Sequence, residues 1–174
     1  MVEMHKWHGF RELEQNLLKL GRDVHERGVK RMMSRAAVPI RDDARRRAPV
    51  LAEPDPRRMP GTLRNAIQIW RKRITPFAVT YYVGVRGLSR SVIRRFKSNT
   101  DRQGKALKGS DNPRDPFYWR WVELGTSKMA ARPFLRPAFE AQKMESVRVA
   151  LDEGRKFISA TVRKFKRVAQ RTTA

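Results

Sequence analysis

The chain has 174 residues, the usual size of one domain, and its 40 Lys and Arg against 17 Asp and Glu give a net charge of +23. It contains no cysteine, which excludes disulfides and thiolate metal sites and fits a reducing compartment. Because so large a charge repels itself, we expect nucleic acid, an anionic membrane or an acidic protein surface nearby.

The first third of the chain is predicted to be helical, over residues 10–48. Apolar residues recur three or four positions apart in two runs, which Gly21 separates, and they form one stripe in the second run. The pair Ala48-Pro49 marks the expected end of the helix. Two ion pairs one helical turn apart are expected on this helix, Asp42 with Arg46 and Asp43 with Arg47.

The middle of the chain carries a strand signal. Residues Val79, Tyr81, Val83 and Val85 alternate strictly with other residues, and Thr75-Pro76 separates them from an earlier run with β-branched and aromatic side chains. We therefore predict a β-hairpin within residues 62–85, with antiparallel strands at 67–73 and 77–85.

Residues 86–115 lack a core pattern and carry a dense positive charge. They are predicted to form a long basic insertion that either extends the hairpin or remains a loop. One interpretation is a solvated loop, and the other is contact with DNA phosphates or an acidic partner surface, without recognition of sequence. The candidate contact residues are Arg86, Arg90, Arg94, Arg95, Lys97, Arg102, Lys105 and Lys108.

A dense aromatic turn and a proline-flanked helix start occupy residues 117–138. The run from Glu123 to Thr126 predicts a tight turn, in which Gly125 supplies backbone freedom. Pro133 suits the first position of a C-terminal helix predicted over 134–170. Phe134 and Leu135 are expected to anchor that helix. Its apolar stripe is Val147, Leu151, Gly154, Ile158, Val162, Phe165 and Val168.

No motif in the sequence predicts catalysis, a cofactor or a metal. His5 and His8 are the only closely spaced histidines, too few for a zinc site. Gly104-Lys105 lacks the upstream glycine and the following Ser or Thr of a phosphate-binding loop. The apolar stretch from Phe77 to Val85 is too short to span a bilayer, and the N-terminus lacks the apolar run of a signal peptide. We therefore do not expect an enzyme, and one that uses scattered carboxylates is strongly disfavoured.

Five short motifs follow one another between residues 10 and 139. They are Ala44 to Pro49, Gly61 to Ile67, Val83 to Val85, Val122 to Thr126 and Ala131 to Ala138. Each motif is weak alone, but their order resembles the tail-completion, or minor tail component, family of long-tailed bacteriophages. The chain departs from the family pattern in Leu124, which replaces an aromatic residue, and in the length of the basic insertion.

The resemblance implies an α+β fold in one domain of residues 1–174. In such a fold a small antiparallel β-sheet packs against a long N-terminal helix, and a C-terminal helix and the basic hairpin or loop insertion complete it. It implies no catalysis and no cofactor.

The resemblance also implies a structural role in the virion, at the neck that completes the tail and joins it to the head around the DNA channel. We expect a homo-oligomeric ring, most simply a hexamer, that assembles in the host cytoplasm. Its partners would be other neck and tail proteins and packaged double-stranded DNA, with no membrane. The expected subunit or partner interface residues are Trp121, Glu123, Gly125, Thr126, Arg132, Phe134 and Arg136.

The alternative is a free-standing, sequence-independent nucleic-acid-binding protein. The charge supports it, although no helix-turn-helix, zinc knuckle or set of RNA-stacking aromatic residues does. The position of the gene would separate the two hypotheses, because a neck protein should be encoded between capsid and tail genes.

Overall fold

The computed structural model describes residues 15, 18, 21–22, 24–50, 58–74, 79–99, 108 and 111–172. The architecture is α+β, as the sequence predicted, with a two-stranded antiparallel sheet among helices. The elements are a π-helical segment Val24–Val29, α1 Lys30–Arg47, α2 Thr62–Ala66, β1 Ile67–Ile74, β2 Val79–Val85, α3 Arg90–Lys97, α4 Trp119–Leu124 and α5 Leu135–Thr172.

The chain forms two compact units, each built from segments that are distant in sequence. The terminal unit comprises Met1–Ala36, Arg71–Tyr81 and Ser146–Ala174. The central unit comprises Ala37–Trp70 and Tyr82–Glu145. The interpretation of residues 1–174 as a single domain stays a prediction.

In the terminal unit, α5 packs closely against the π-helical segment and the start of α1. A Cβ atom on Gly154 would lie 2.8 Å from Cε of Met32, and one on Gly28 would lie 2.8 Å from the ring of Phe157. The two glycines therefore let the helical backbones approach closely. The two segments run antiparallel, since the earlier residue of one meets the later residue of the other.

Two polar contacts fasten the same helices of the terminal unit. The hydroxyl of Ser146 donates to the carbonyl of Ala36 at 2.6 Å. The Nε of Arg31 donates to the carboxylate of Glu153 at 2.9 Å, and the Arg31 side chain is mostly exposed. Because such a surface pair contributes only about 0–1 kcal/mol, packing supplies most of the stability here.

The apolar stripe predicted for the C-terminal helix is only partly buried. Gly154 lies inside, but Val147, Leu151, Ile158 and Val162 are 54%, 54%, 53% and 42% exposed. The helix turns the side of Ser146, Gly154 and Phe157 towards the π-helical segment and α1, and most of the stripe lies on another side. The side chains of Phe165 and Val168 lie outside the described residues.

The core of the central unit joins α1 to the sheet and to the start of α5. Its fully buried large side chains include Phe134, Leu63 and Ile67. Small residues of α1 complete it, so the helix can approach Phe134 and Ile67 closely. The buried cluster consists of Ala44, Ala48, Leu63, Ile67, Val85, Phe134 and Ala138.

Arginine side chains fix the end of α1. The guanidinium of Arg45 donates twice to the carbonyl of Ile67, at 3.0 and 2.7 Å, which ties α1 to the first residue of β1. The buried carboxylate of Asp43 accepts from Arg46 at 2.9 Å and from Arg47 at 2.8 Å, and those hydrogen bonds hold the pKa of Asp43 below its usual value. The expected Asp43–Arg47 pair is therefore confirmed. The Asp42–Arg46 pair was wrong, since Asp42 bonds Arg41 at 2.8 Å.

The two strands agree with the prediction, since β1 begins at Ile67 and β2 ends at Val85. The first five residues of the predicted hairpin region, Thr62–Ala66, form the short helix α2, and the Thr62 hydroxyl donates to the carbonyl of Met59 at 2.8 Å at its start. Across the two strands, the rings of Trp70 and Tyr82 stack with centroids 6.2 Å apart. The break at Thr75-Pro76 and the first two residues of the predicted second strand, 77 and 78, lie outside the described residues.

Part of the basic insertion is helical. Residues Arg90–Lys97 form α3, and the Ser89 hydroxyl accepts a hydrogen bond from the N–H of Val92 at its start. A helix therefore stands where the sequence predicted a hairpin extension or a loop. The physical cause is that Val92, Ile93 and Phe96 provide a short apolar face, which is too brief to stand out in a window dominated by charge.

We predict that Phe134→Ala strongly destabilises the central unit, because Phe134 is 0% exposed in its core. Truncation of a buried phenylalanine typically costs about 3–5 kcal/mol. Thermal and urea unfolding of the full chain would measure the loss of stability. The matched control is Phe139→Ala, since Phe139 is 51% exposed and should change stability far less. Equal effects of the two substitutions would contradict the assigned core.

Candidate functional site

An aromatic cluster precedes and enters α4. The ring of Phe117 meets those of Tyr118 and Trp121 edge to face, with centroids 5.8 and 5.5 Å apart. The guanidinium of Arg58 lies 4.8 Å from the Phe117 centroid and 5.6 Å from that of Tyr118. Burial raises the pKa of the Tyr118 hydroxyl, and the positive charge on Arg58 offsets part of that rise. The cluster is thus held by ring contacts and a cation–π contact.

Gly125 ends α4 in a conformation that suits glycine alone. Its φ is 76° and its ψ is 177°, in the region that L side chains rarely adopt. A Cβ atom there would also lie 2.9 Å from the backbone nitrogen of Ala131 and 3.1 Å from the carbonyl oxygen of Met129. Since backbone atoms cannot move aside as a flexible side chain can, glycine is required by both its angle and its neighbours.

The segment after Gly125 folds back on α4. Thr126 and Met129 exchange backbone hydrogen bonds of 2.9 and 3.3 Å, which closes a tight turn. The N–H of Arg132 then donates to the carbonyl of Val122 at 2.8 Å. The tight turn thus lies at residues 126–129, and its predicted position from Glu123 to Thr126 was wrong, because Glu123 and Leu124 are the last residues of α4. The turn returns the chain to the place where α5 begins.

The carboxylate of Glu123 caps the first turn of α5. Oε2 accepts from the N–H groups of Phe134 at 2.7 Å and Leu135 at 3.0 Å, and Oε1 accepts from that of Arg136 at 3.0 Å. The first N–H groups of a helix have no partner within the helix, and the helix dipole favours negative charge at this end. One side chain of α4 thus satisfies three donors of α5.

An apolar cavity of about 420 Å³ lies beside this turn in the central unit. Tyr118, Val122 and Met129 contribute from the aromatic side, and Leu63 from α2. Among the described residues that line it, Arg132 alone is charged. These described lining residues are Pro49, Val50, Met59, Gly61, Thr62, Leu63, Tyr118, Val122, Met129, Ala130 and Arg132.

The expected interface residues take two different positions. Trp121, Thr126, Arg132 and Arg136 are exposed on α4, the turn and the start of α5. Phe134 is fully buried, while Glu123 and Gly125 hold the turn, so these three could act on an interface only by supporting it. The four exposed residues all lie in the segment from Trp121 to Arg136, which contains the end of α4, the turn and the start of α5.

Some of the expected basic contact residues lie together on α3. Arg90, Arg94 and Lys97 are exposed and spaced four and three residues apart, which places them on one side of the helix. Val92 and Phe96 lie on the opposite side. Arg86, Arg95 and Lys108 are also exposed, and Arg102 and Lys105 lie outside the described residues.

The comparison with protein families matches residues 11–125 to the model described as "Bacteriophage HK97-gp10, putative tail-component". The match covers about two thirds of the chain and includes α1, the hairpin, α3 and α4.

The chain belongs to this family of phage tail components. As a member of the HK97-gp10-like family it has a structural role and is part of the virion. No curated protein and no solved structure is significantly similar to the chain.

The described part of this tail component shows no metal-binding group. Nowhere in it do three His, Asp or Glu residues stand close enough to hold an ion. His5 and His8 lie outside it. No helix among the described residues is long and apolar enough to cross a membrane.

Sequence reasoning missed two features of this tail component. The first is α3, because eight residues give too few helical periods. The second is the cap by Glu123, because the sequence predicts only a place in the tight turn for this residue. A capping side chain normally lies within a few residues of the helix it caps, whereas Glu123 precedes Phe134 by eleven residues. Only the folding back of the turn brings them together.

We predict that Glu123→Ala destabilises the central unit by about 1–3 kcal/mol, because three N–H groups lose a charged acceptor. Glu123→Gln should destabilise it less, since an amide oxygen still accepts. Thermal unfolding of the full chain would measure both. The control is Glu140→Ala, because Glu140 is exposed and bonds the exposed Lys143 at 2.7 Å. An unchanged melting temperature for Glu123→Ala would contradict the cap.

Proposed function

We propose that the chain is a structural protein of the phage neck, which completes the tail and joins it to the head around the DNA channel. Membership of the tail-component family supports the structural role. The observation that carries the position at the channel is the charge, since a net +23 needs anions close by and packaged DNA supplies them. The role requires no catalysis and no cofactor, and assembly would take place in the host cytoplasm.

The proposal includes a homo-oligomeric ring of six subunits, matched to the symmetry of a tail. Two features support self-association. Both strands of the sheet have one edge without a strand partner among the described residues, and such edges invite pairing. The exposed residues Trp121, Thr126, Arg132 and Arg136 surround a turn that Gly125 and Glu123 hold rigidly. A rigid, partly apolar surface loses little entropy when it binds.

The basic side of α3 is the proposed contact with DNA or with an acidic neighbouring protein. Arg90, Arg94 and Lys97 share one side of a helix that is capped at Ser89, so the charges are held in register. Phosphate contact by such side chains releases counterions and needs no base recognition. Screening reaches about 8 Å at physiological salt, so these side chains must lie close to the anions they neutralise.

The second candidate function is a free-standing nucleic-acid-binding protein, which the same basic side of α3 favours. The two proposals differ in what the virion contains. A neck protein is stoichiometric in purified particles, whereas a free-standing binder is absent from them. The gene of a neck protein should also lie between capsid and tail genes.

We predict that a phage without this protein accumulates filled heads and uncompleted tails that remain unjoined. Complementation with the full chain should restore plaques. Native mass spectrometry of necks released from purified virions should give a hexamer. A monomer in free solution is compatible with the proposal, since a ring of like-charged subunits can require the tail as a template. A monomer within intact necks, or joined particles without the protein, would contradict it.

We predict that Arg90→Ser, Arg94→Ser and Lys97→Ser together flatten the salt dependence of binding to duplex DNA. The slope of log K against log salt should fall by about 0.9 for each phosphate that the variant no longer neutralises. The control removes three exposed charges elsewhere, Arg64→Ser, Arg71→Ser and Lys128→Ser. An equal change in both variants would show that total charge matters and α3 does not. In virions, a reconstruction of the filled neck should place α3 against DNA or an acidic protein surface.

A further inference from the structure

The second half of α5 is basic and contains no acid. From Arg155 to Thr172, where the helix ends, the sequence has seven Lys or Arg and no Asp or Glu. Four of these basic residues are exposed and lie on one side of the helix, since at 3.6 residues per turn they fall within an arc of about 100° and over a length of about 17 Å. This basic side of α5 consists of Lys156, Arg163, Lys164 and Arg167, and the exposed apolar residues Ile158 and Val162 lie opposite it.

The charges on the basic side of α5 are mostly not neutralised within the part of the chain that the structure describes. There Arg163, Lys164 and Arg167 form no hydrogen bond and no ion pair, whereas Lys156 lies 3.8 Å from Glu153, whose carboxylate also accepts from Arg31. Arg163 and Arg167 are one helical turn apart, where like charges repel each other. A bound anion would remove this repulsion.

The dipole of α5 does not account for these charges. A helix dipole stabilises cations within the last turn, which here is residues 169–172. Arg163, Lys164 and Arg167 all precede that turn. Neither the fold of the terminal unit nor the end of its helix therefore uses the basic side of α5.

The chemistry of this side indicates which anion fits it. Between Lys156 and Arg167 the other residue on the side is Ala160, which is small and exposed, so the side has no aromatic ring and no large apolar group. A protein partner usually needs an apolar centre in the interface, and single-stranded nucleic acid usually needs aromatic rings for its bases. The phosphate backbone of duplex DNA needs neither, because basic side chains bind it by releasing condensed counterions.

We propose that the basic side of α5 binds the phosphate backbone of duplex DNA without recognition of sequence. It is a contact separate from α3, since Arg163, Lys164 and Arg167 belong to the terminal unit and α3 belongs to the central unit. The inference depends neither on the ring nor on the position in the neck, so the purified full chain is sufficient to test it.

The first test measures the affinity for a duplex of random sequence by fluorescence anisotropy over a range of salt concentrations. The α5 variant is Arg163→Gln with Lys164→Gln and Arg167→Gln, because glutamine keeps the helix propensity. The slope of log K against log salt should fall by about 0.9 for each lost phosphate contact, and thus by up to about 2.7. The control removes the same charge from three other exposed positions, with Arg64→Gln, Arg71→Gln and Lys128→Gln, and should change the slope by less than one contact. Circular dichroism melting would verify that both variants fold.

The second test determines which side of α5 faces the DNA. Because the chain has no cysteine, a single introduced cysteine can carry an iron chelate that cleaves nearby DNA by hydroxyl radicals. Ala160→Cys places the chelate on the basic side, and the matched control Val162→Cys places it on the opposite side of the same helix. Cleavage should be at least about fivefold stronger from position 160, since every other part of the two proteins is identical.

Equal slopes for the α5 variant and its control, or equal cleavage from positions 160 and 162, would overturn the proposal. Loss of slope in the α3 variant alone would also overturn it and would leave the proposed contact by α3 intact. If polyglutamate of matched charge bound the full chain as tightly as the duplex and lost affinity equally in the α5 variant, an acidic protein would replace DNA as the partner.

Discussion

The central unit depends on the carboxylate of Glu123 at the start of α5. That one group satisfies three backbone donors, and it can do so only because Gly125 turns the chain back on α4. The same return carries Phe134 into the core between α1 and the sheet. A polar cap and an apolar anchor at adjacent positions therefore fix where the longest helix begins. Neither the cap nor the anchor would be sufficient alone, because a buried helix end without hydrogen-bond acceptors costs free energy and a cap without packing stabilises a helix only weakly.

The exposed surface of the turn follows from this arrangement. Because Glu123 and Phe134 face inwards, the residues between them are held mainly by backbone hydrogen bonds, to which the Thr126 hydroxyl adds one from the N–H of Lys128 at 3.3 Å. Thr126 and Arg132 are exposed for this reason, and Trp121 lies on the outer side of α4 with its ring against Phe117. A surface of this kind is preorganised for a partner, as the proposed ring requires.

The sequence alone is enough to predict the elements with strong periodicity. It is not enough to predict the features that contacts between distant segments define. The alternation from Val79 to Val85 and the long apolar repeat of α1 were enough to predict strand and helix. The eight-residue α3 was missed because charge outnumbers its apolar residues. The stripe on α5 was recognised, but periodicity alone cannot tell which apolar side of a helix finds a partner. Here two glycines let another side of α5 approach α1 and its preceding segment, so most of the stripe stays exposed.

The placement of the acidic residues determines how such a basic chain can assemble. Asp43 is engaged by Arg46 and Arg47, Glu123 by the start of α5, and Glu153 by Arg31. These carboxylates stabilise the fold and are not available to neutralise the basic surface of another copy. In the proposed ring, contacts between copies would therefore rely mainly on apolar and backbone groups, and the positive charge that is left would be met by anions from outside the chain. DNA near α3 would supply such anions. Removing the DNA should then weaken a ring of like-charged subunits, which would give assembly a physical reason to wait for the tail and its DNA.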